Sequence, residues 1–395
     1  APQTVTKRII EDLDNAYFPT KMIVPSTEII HDRANLEVFR GCIRGCRFCQ
    51  AGFSCRPVRR KSPEVLEAQA EATLASTGFG DLTISSLSTS DYRALPELME
   101  ELIPYCTAHR VNLAVPSLRA DNFSRELMEK LKTLRRSGLT FAPEAGSQRL
   151  RNVINKGLTI DNILDGSKQA FEGGWNKVKL YFMLGLPTET EEDMRAIPEL
   201  ANEIAALYYD TVPKEKRNGK CQITISTSFF VPKPFTPFQW ATMLDPGDYL
   251  GRAKIVNDHV KEQLNHKSIR YNWHEADVTV LEGVLARGDR KLSDAIEYVY
   301  QHGGLFDAWS DFFNYDLWLE AFAACDIDID FYTKRVRSDD EVFPWDFIDV
   351  GVSRAFLLRE WKTALTETVT PNCRMRCSGC GAKQYGGGVC FENKN

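Results

Sequence analysis

The sequence lacks any run of about 18 consecutive apolar residues, the length a helix needs to span a bilayer, so no transmembrane helix is expected. Short-period repeats and low-complexity tracts are missing too, and a composition of 43% hydrophobic and 26% charged residues excludes disorder and collagen-like structure. Positive charge is not in excess. With 49 Lys and Arg against 54 Asp and Glu, the net charge is −5. A broad basic face that grips nucleic acid by counterion release is therefore not the default, although a local patch stays open. The first residues, Ala-Pro-Gln-Thr, lack both an initiator Met and the charged-then-apolar layout of a signal peptide, and read as a trimmed or processed start with something missing upstream. Cysteine is too sparse for a disulfide scaffold, at eleven in 395 residues. At this length metal binding or redox chemistry outweighs pairing, and a reducing, cytoplasmic compartment is expected.

What is present is an alternation. Residues 1–35 are polar and mixed and read as an N-terminal lead-in segment. From 36 to 240, β-rich runs recur at Leu36–Arg40, Leu82–Leu87, Val111–Pro116, Leu139–Ala142, Val178–Leu184 and Ile223–Val231. Helix-like stretches separate them, among them Ser62–Thr77 and Ser124–Arg136, each opening on a serine N-cap. Six alternations predict parallel βα units closed or partly closed into an α/β barrel. An open doubly wound sheet would more often carry a Gly-rich dinucleotide turn after its first strand, where this chain has cysteines. Lys233-Pro-Phe-Thr-Pro-Phe238 ends the repeat. Residues 241–369 read as a mainly helical extension, with helices at Asp248–Leu264 and Lys291–Tyr300, and 370–395 as a short, Gly-rich, cysteine-rich tail.

Cys42, Cys46 and Cys49 lie in Arg-Gly-Cys-Ile-Arg-Gly-Cys-Arg-Phe-Cys, directly after the first expected strand. Three thiolates in a tight loop can hold three irons of a [4Fe–4S] cluster and leave the fourth open. In a βα barrel, the loop after a strand lies on the face where chemistry is done. Zinc, with Cys55 as a fourth ligand, and three incidental buried thiols are the alternatives.

This spacing, with Phe48 as the aromatic before the last cysteine, resembles the radical SAM superfamily. The resemblance implies a partial (β/α)6 TIM-like barrel and a [4Fe–4S] cluster whose open iron binds S-adenosylmethionine (SAM). It also implies reductive cleavage of SAM to methionine and a 5′-deoxyadenosyl radical that abstracts hydrogen from a substrate, with an external reductant such as flavodoxin or ferredoxin. Further residues fall where such enzymes hold SAM. Phe48 neighbours the site, and Ser88, Thr89 and Ser90 take the place of the family's Gly-Gly-Glu for the methionyl amine. Their alternative is a helix N-cap at Ser90 or Asp91. Arg119 is placed to clamp the SAM carboxylate. Glu144 is a candidate for the ribose hydroxyls or the methionyl amine, with Ser147 and Arg149 nearby, against a plain helix start. Gly185 and Pro187 belong to the adenine-side turn, with Thr188 expected to cap the next helix. The run Arg56-Pro-Val-Arg59-Arg60-Lys61 reads as a solvated face, or else as a partner for anionic ligands or an acidic substrate.

Cys373, Cys377 and Cys380 repeat the same spacing, and Cys390 follows. A second [4Fe–4S] cluster and a structural zinc both fit, as does no metal at all. Cys55, Cys106, Cys221 and Cys325 read as buried small hydrophobes. His274 reads as a satisfied surface or core histidine, Arg287, Asp289 and Arg290 as mutually paired, and Phe306 with Trp309 as part of a lid shielding a radical from water.

Taken with Gln50-Ala-Gly, Pro143-Glu-Ala-Gly-Ser-Gln-Arg-Leu150 and Glu282-Gly-Val-Leu-Ala-Arg-Gly-Asp-Arg290, the chain is similar over nearly its whole length to a narrower radical SAM group. That group usually carries an N-terminal cobalamin-binding-like domain. Neither that domain nor an Asp-x-His-x-x-Gly motif is present in these 395 residues, so cobalamin-dependent methyl transfer is an open expectation. The expected reaction is methylation or methylthiolation of RNA or protein. The rivals are rearrangement or oxidation of a small metabolite, and a non-catalytic Fe–S scaffold or electron-transfer partner.

Overall fold

The structure, a computed structural model, describes residues 3–115, 119, 121, 139–217 and 219–385. The expected helix at 124–136, part of the strand ending at Pro116, and Cys390 lie outside the described residues.

Barrel strands are numbered here β1 (Ala34–Glu37), β2 (Asp81–Ser85), β3 (Asn112–Ala114), β4 (Leu139–Glu144), β5 (Lys177–Leu184), β6 (Gln222–Phe229) and β7 (Ile269–Trp273). All their pairings are parallel. They form a three-stranded sheet in the order β1-β2-β3 and a four-stranded sheet in the order β7-β6-β5-β4. Within each sheet consecutive strands lie side by side, as parallel βα units do, and the architecture is a partial barrel.

The helices are α1 (Gln50–Ser54), α2 (Pro63–Thr77), α3 (Leu95–Ala108), α4 (Gln148–Val153), α5 (Ile160–Glu172), α6 (Glu191–Thr211), α7 (Pro246–Glu262), α8 (Ala276–Arg287), α9 (Leu292–Gln301), α10 (Tyr315–Ala324), α11 (Ile329–Thr333) and α12 (Arg354–Leu365). The α2 start is the expected one. Ser62 Oγ accepts the Val65 N–H, and Pro63 occupies the first turn, where its missing N–H costs nothing. Thr190, rather than Thr188, begins α6. Its backbone N–H is answered by Asp193 in a capping box, while Thr188 sits in the preceding turn at positive φ.

Strand alternation decides where the core sits. On β5, Val178, Leu180, Phe182 and Leu184 are buried against α5, α6 and α7. Each such side chain contributes about 1.5–3 kcal/mol by leaving water. Lys179, Tyr181 and Met183 point the other way and keep partial exposure, so the inner face is not packed shut. A second core joins β1, β2 and β3 to α2 and α3 through Leu36, Leu66, Ile84, Leu98 and Leu102.

Strand β7 lies beyond Lys233–Phe238, where the repeat was expected to end. It escapes a pattern reading because it is a short edge strand in which Ile269 alone is buried. Helices α8, α9 and α10 gather round a core of their own, with Val284, Leu292, Trp318 and Phe322. Phe306 and Trp309 are exposed on that helical layer, at 68% and 57%, and Phe306 meets Phe312; neither is buried as a lid residue. Among the described residues, no helix is long and apolar enough to cross a membrane.

Candidate active site

The chain leaves β1, and Phe39–Arg40 then pairs antiparallel with Arg59–Arg60, closing the segment between them into a loop. This loop holds all three cysteines of the first set. Gly41 turns its corner at φ +88°, and a Cβ there would lie 2.7 Å from the Pro57 carbonyl oxygen and 2.9 Å from that of Cys55. Only glycine fits so close an approach. Cys49 caps α1: its Sγ accepts the Gly52 N–H at 3.3 Å. Cys42 Sγ accepts the Arg44 N–H at 3.4 Å, and the Cys49 N–H returns to the Cys46 carbonyl at 3.1 Å.

Distant segments clamp the loop. Arg47 is fully buried. It pairs with Glu360 of α12 at 3.1 Å and donates to the carbonyls of Asn152, Val153 and Thr368. Asn155 donates to the Gly45 carbonyl at 3.0 Å while its own Oδ1 accepts the Thr370 N–H at 3.0 Å. The Cys373 N–H donates to the Ile43 carbonyl at 3.1 Å. The C-terminal tail is thus stitched directly to the first cysteine loop.

Burial, then the Cys46 charge, pushes the Cys42 thiol up to about 12, and the same causes push Cys49 up to about 11. Metal binding here must therefore displace protons. A cation waits beside them. Arg56 is 3% exposed; its Nε donates to the Gly52 carbonyl at 2.9 Å, its Nη2 to the Arg44 carbonyl at 2.8 Å, and its Nη1 has no partner. Among the described residues no carboxylate pairs with it. Burial works against its charge, but the thiols of Cys373, Cys380 and Cys42 outweigh that and raise it. A buried guanidinium without an anion is costly. Soft thiol donors, N–H groups aimed at sulfur and this unbalanced cation fit an anionic metal–thiolate group.

Among the described residues, no three His, Cys, Asp or Glu side chains are grouped tightly enough to share one ion.

The residues expected around SAM divide into two groups. Phe48, partly buried, packs against the apolar cluster that includes Leu150 and Phe238, and Lys156 Nζ lies 5.9 Å from its ring centroid. Lys156 also pairs with Glu144 at 3.1 Å, and Glu144 is held at φ +69° where the β4–β5 register shifts. Lys156 in turn acts on Cys49. Phe48, Glu144, Lys156 and Cys49 therefore share one neighbourhood.

The remaining residues are engaged with protein partners. Ser88 Oγ donates to Asp91 at 2.6 Å, Thr89 Oγ1 meets Ser86 Oγ at 2.9 Å, and Ser90 Oγ accepts the Arg119 N–H at 3.1 Å. Neither Ser90 nor Asp91 is the N-cap, since the 3₁₀ turn Thr89–Asp91 starts after Ser88. Asp91 instead binds Arg44 with both oxygens, at 2.5 and 2.9 Å. Arg119 is held by Asp121 at 2.9 Å and by the Lys156 carbonyl at 3.0 Å. Ser147 caps α4 and bonds Asp193; Arg149 binds Asp193, the Thr188 carbonyl and Glu367. Gly185, at φ +83°, donates to buried Glu189, and Pro187 follows in the same turn.

Cys373 and Cys380 lie near Arg56, with Cys380 buried, whereas Cys377 is exposed. Cys106 and Cys221 are buried, as expected; Cys325 is half-buried, and so is Cys55. The basic run is not a solvated face. Arg56, Arg59 and Lys61 are buried, and only Arg60 is exposed. His274 is exposed. Arg287 does not pair with Asp289; its Nη1 and Nη2 bond the carbonyls of Ala241 and Gln239, and Asp289 accepts from the Tyr332 hydroxyl. Sequence reasoning missed Lys156, Arg44, Asp91 and Asp121. Arg44 carried a signal, a charge inside the cysteine loop, whereas Lys156 carried none.

Residues 36–201 match the family model described as the Radical SAM superfamily, so this stretch of the chain is a radical SAM domain, the domain of a superfamily of enzymes whose members use a [4Fe–4S] cluster and SAM. An uncharacterized protein of Methanocaldococcus jannaschii is 33% identical over 67% of this chain and 54% of its own length. A second protein of that organism, whose methylthiotransferase name is provisional, is 31% identical over 40% of this chain and 36% of its own length. The chain thus spans about half the length, or less, of these curated relatives. The radical SAM methyltransferase TsrM from Kitasatospora setae, solved with cobalamin and a [4Fe–4S] cluster, aligns at 18% identity and a TM-score of 0.42 over 52% of this chain and 36% of that one.

Proposed function

We propose that Cys42, Cys46 and Cys49 hold a [4Fe–4S] cluster with one open iron, and that the chain modifies its substrate by methylation or methylthiolation. The single observation that supports the cluster assignment is the buried Arg56, which has no carboxylate partner among the described residues and is acted on instead by the thiols of Cys42, Cys373 and Cys380. When bound, the cluster and SAM supply reductive cleavage to a 5′-deoxyadenosyl radical. The chain's residues do the rest. Gly52 and Arg44 N–H groups stabilise thiolate charge, and Arg47 and Asn155 fix the loop. Glu144 and Lys156 offer a carboxylate and an ammonium to the polar end of a ligand beside Phe48. Ser88, Thr89, Ser90 and Arg119 shape the wall next to them through the Arg44–Asp91–Asp121 network. Gly185 and Pro187 form the turn proposed for the adenine side. The methylthiotransferase names among the curated relatives support this reaction class over rearrangement.

For the tail, we propose an iron–sulfur rather than a zinc site at Cys373, Cys377 and Cys380, with Cys390 as a further ligand; the shared Arg56 supports it. A cobalamin domain carried outside these residues, and flavodoxin or ferredoxin as reductant, complete the proposal. The test is reconstitution with iron and sulfide, reduction, and assay of 5′-deoxyadenosine from SAM. Product is expected from the native chain and none from Cys42→Ala, Cys46→Ala or Cys49→Ala. A fully loaded native cluster that yields none would sink the reading.

A further inference from the structure

A cavity of about 830 Å³ opens against the back of the first cysteine loop, reaching Gly41 and Cys55. That size is in the ~300–1,000 Å³ range of small-molecule sites. Its charge is unusual for this chain. Lys7, Arg8, Arg40 and Arg59 line it against a single carboxylate, Glu37, and Glu37 is taken up by Arg40 in two bonds of 2.9 Å. Three cations remain in the walls of a protein whose net charge is −5.

The bonds of two of these cations are to neutral groups. Lys7 Nζ donates to the carbonyls of Ser54, at 2.8 Å, and Arg56. Arg59, 7% exposed, donates to the carbonyls of Pro57, Ile10 and Cys55, each at 3.2 Å. Carbonyls position a cation without neutralising it. Burial first, then the Arg59 charge, lowers Lys7 to about 8, and the opposing pull of Cys55 and Asp349 does not restore it. The cavity therefore holds positive charge that a bound anion would stabilise.

The rest of the wall narrows the class of anion. Ser85 and Ser86 lie at the end of β2, and Ser86 offers a hydroxyl already bonded to Thr89. Phe39, Ile9 and Leu87 form an apolar side. A simple inorganic anion would leave that apolar side bare, while an apolar molecule would leave the cations unbalanced. We propose that this cavity binds a phosphorylated ligand with an aromatic body, a nucleotide in chemical class, and anchors the substrate beside the cysteine loop. Only its role as substrate anchor rests on the radical SAM reading; binding itself does not.

Isothermal titration of the full chain with AMP, adenosine and a short single-stranded RNA tests it. Saturable AMP binding is expected, at least tenfold weaker for adenosine, and at least tenfold weaker for AMP in Lys7→Glu and in Arg8→Glu. Arg8 is exposed, so its variant keeps the test valid if Lys7→Glu fails to fold. Tighter binding of RNA than of AMP assigns the phosphate to a macromolecule, and the reverse to a free nucleotide. No AMP binding, equal binding of adenosine, or indifference to Arg8→Glu overturns the proposal. Displacement of AMP by SAM also overturns it, since the cavity would then be part of the cofactor site. AMP binding without 5′-deoxyadenosine formation would sink the proposed function alone. SAM cleavage without AMP binding would sink this inference alone.

Discussion

The Cys373 N–H donates to the Ile43 carbonyl at 3.1 Å, so the C-terminal cysteines begin one backbone bond away from the loop that carries Cys42, Cys46 and Cys49. With Arg56 acting on thiols of both sets, the two cannot be electrostatically independent. Charge placed on one must be felt at the other.

Arg56→Met is expected to lower the midpoint potential of the loaded first cluster. A positive charge beside thiolates favours the reduced, more negative state, and nearby charge is one of the levers on such potentials. Each tenfold change in that equilibrium is about 59 mV for one electron. A redox titration followed by electron paramagnetic resonance reads it. An unchanged potential at full iron content would show that another anion balances Arg56.

The Arg44–Asp91 pair is buried, with side chains 14% and 2% exposed. Burial raises the Asp91 carboxyl, but the Arg44 hydrogen bonds and charge outweigh it and hold Asp91 below the usual carboxylate range. Arg44→Met breaks this buried pair and should cost about 3–5 kcal/mol. Denaturant unfolding measures the loss, and the double variant Arg44→Met/Asp91→Asn should recover part of it.

Glu189 is raised from 4.5 to about 7, chiefly by burial, despite the Gly185 N–H and Arg252 at 3.0 Å. The folded state therefore binds this proton more tightly than the unfolded chain. Its contribution to stability is complete below about 4.5 and is lost as pH rises toward about 7, on the order of 3 kcal/mol in all. Glu189→Gln should flatten the pH dependence of thermal unfolding across that window. A slope that survives the substitution would assign it to another group.

Gly185→Ala should destabilise by about 2 kcal/mol. The φ of +83° disfavours a side chain, and a Cβ would approach Tyr249 Cε1 to 2.6 Å. A melting temperature equal to that of the native chain would contradict the packing of α7 on this turn.

Strand periodicity, the Ser62 cap and the cysteine spacing were legible because each depends on neighbours in sequence. Alternation along β5 and the loop of Cys42, Cys46 and Cys49 are local patterns, and they carried the barrel and the superfamily. Strand β7 was not legible, because an edge strand buried at one residue has no periodicity to read.

The roles of charged residues were decided elsewhere. Arg56-Pro-Val-Arg59-Arg60-Lys61 has the composition of a solvated face, yet three of its four charges are buried, because the fold brings carbonyls, thiols and Gln69 to them. Lys156 met Glu144 and Phe48, and Arg47 met Glu360 across 313 positions, through packing that no local pattern records. Local spacing determined which atoms could hold a cluster. Tertiary structure decided which cations surround it, since a buried charge is tolerated only where distant parts of the chain supply its partners.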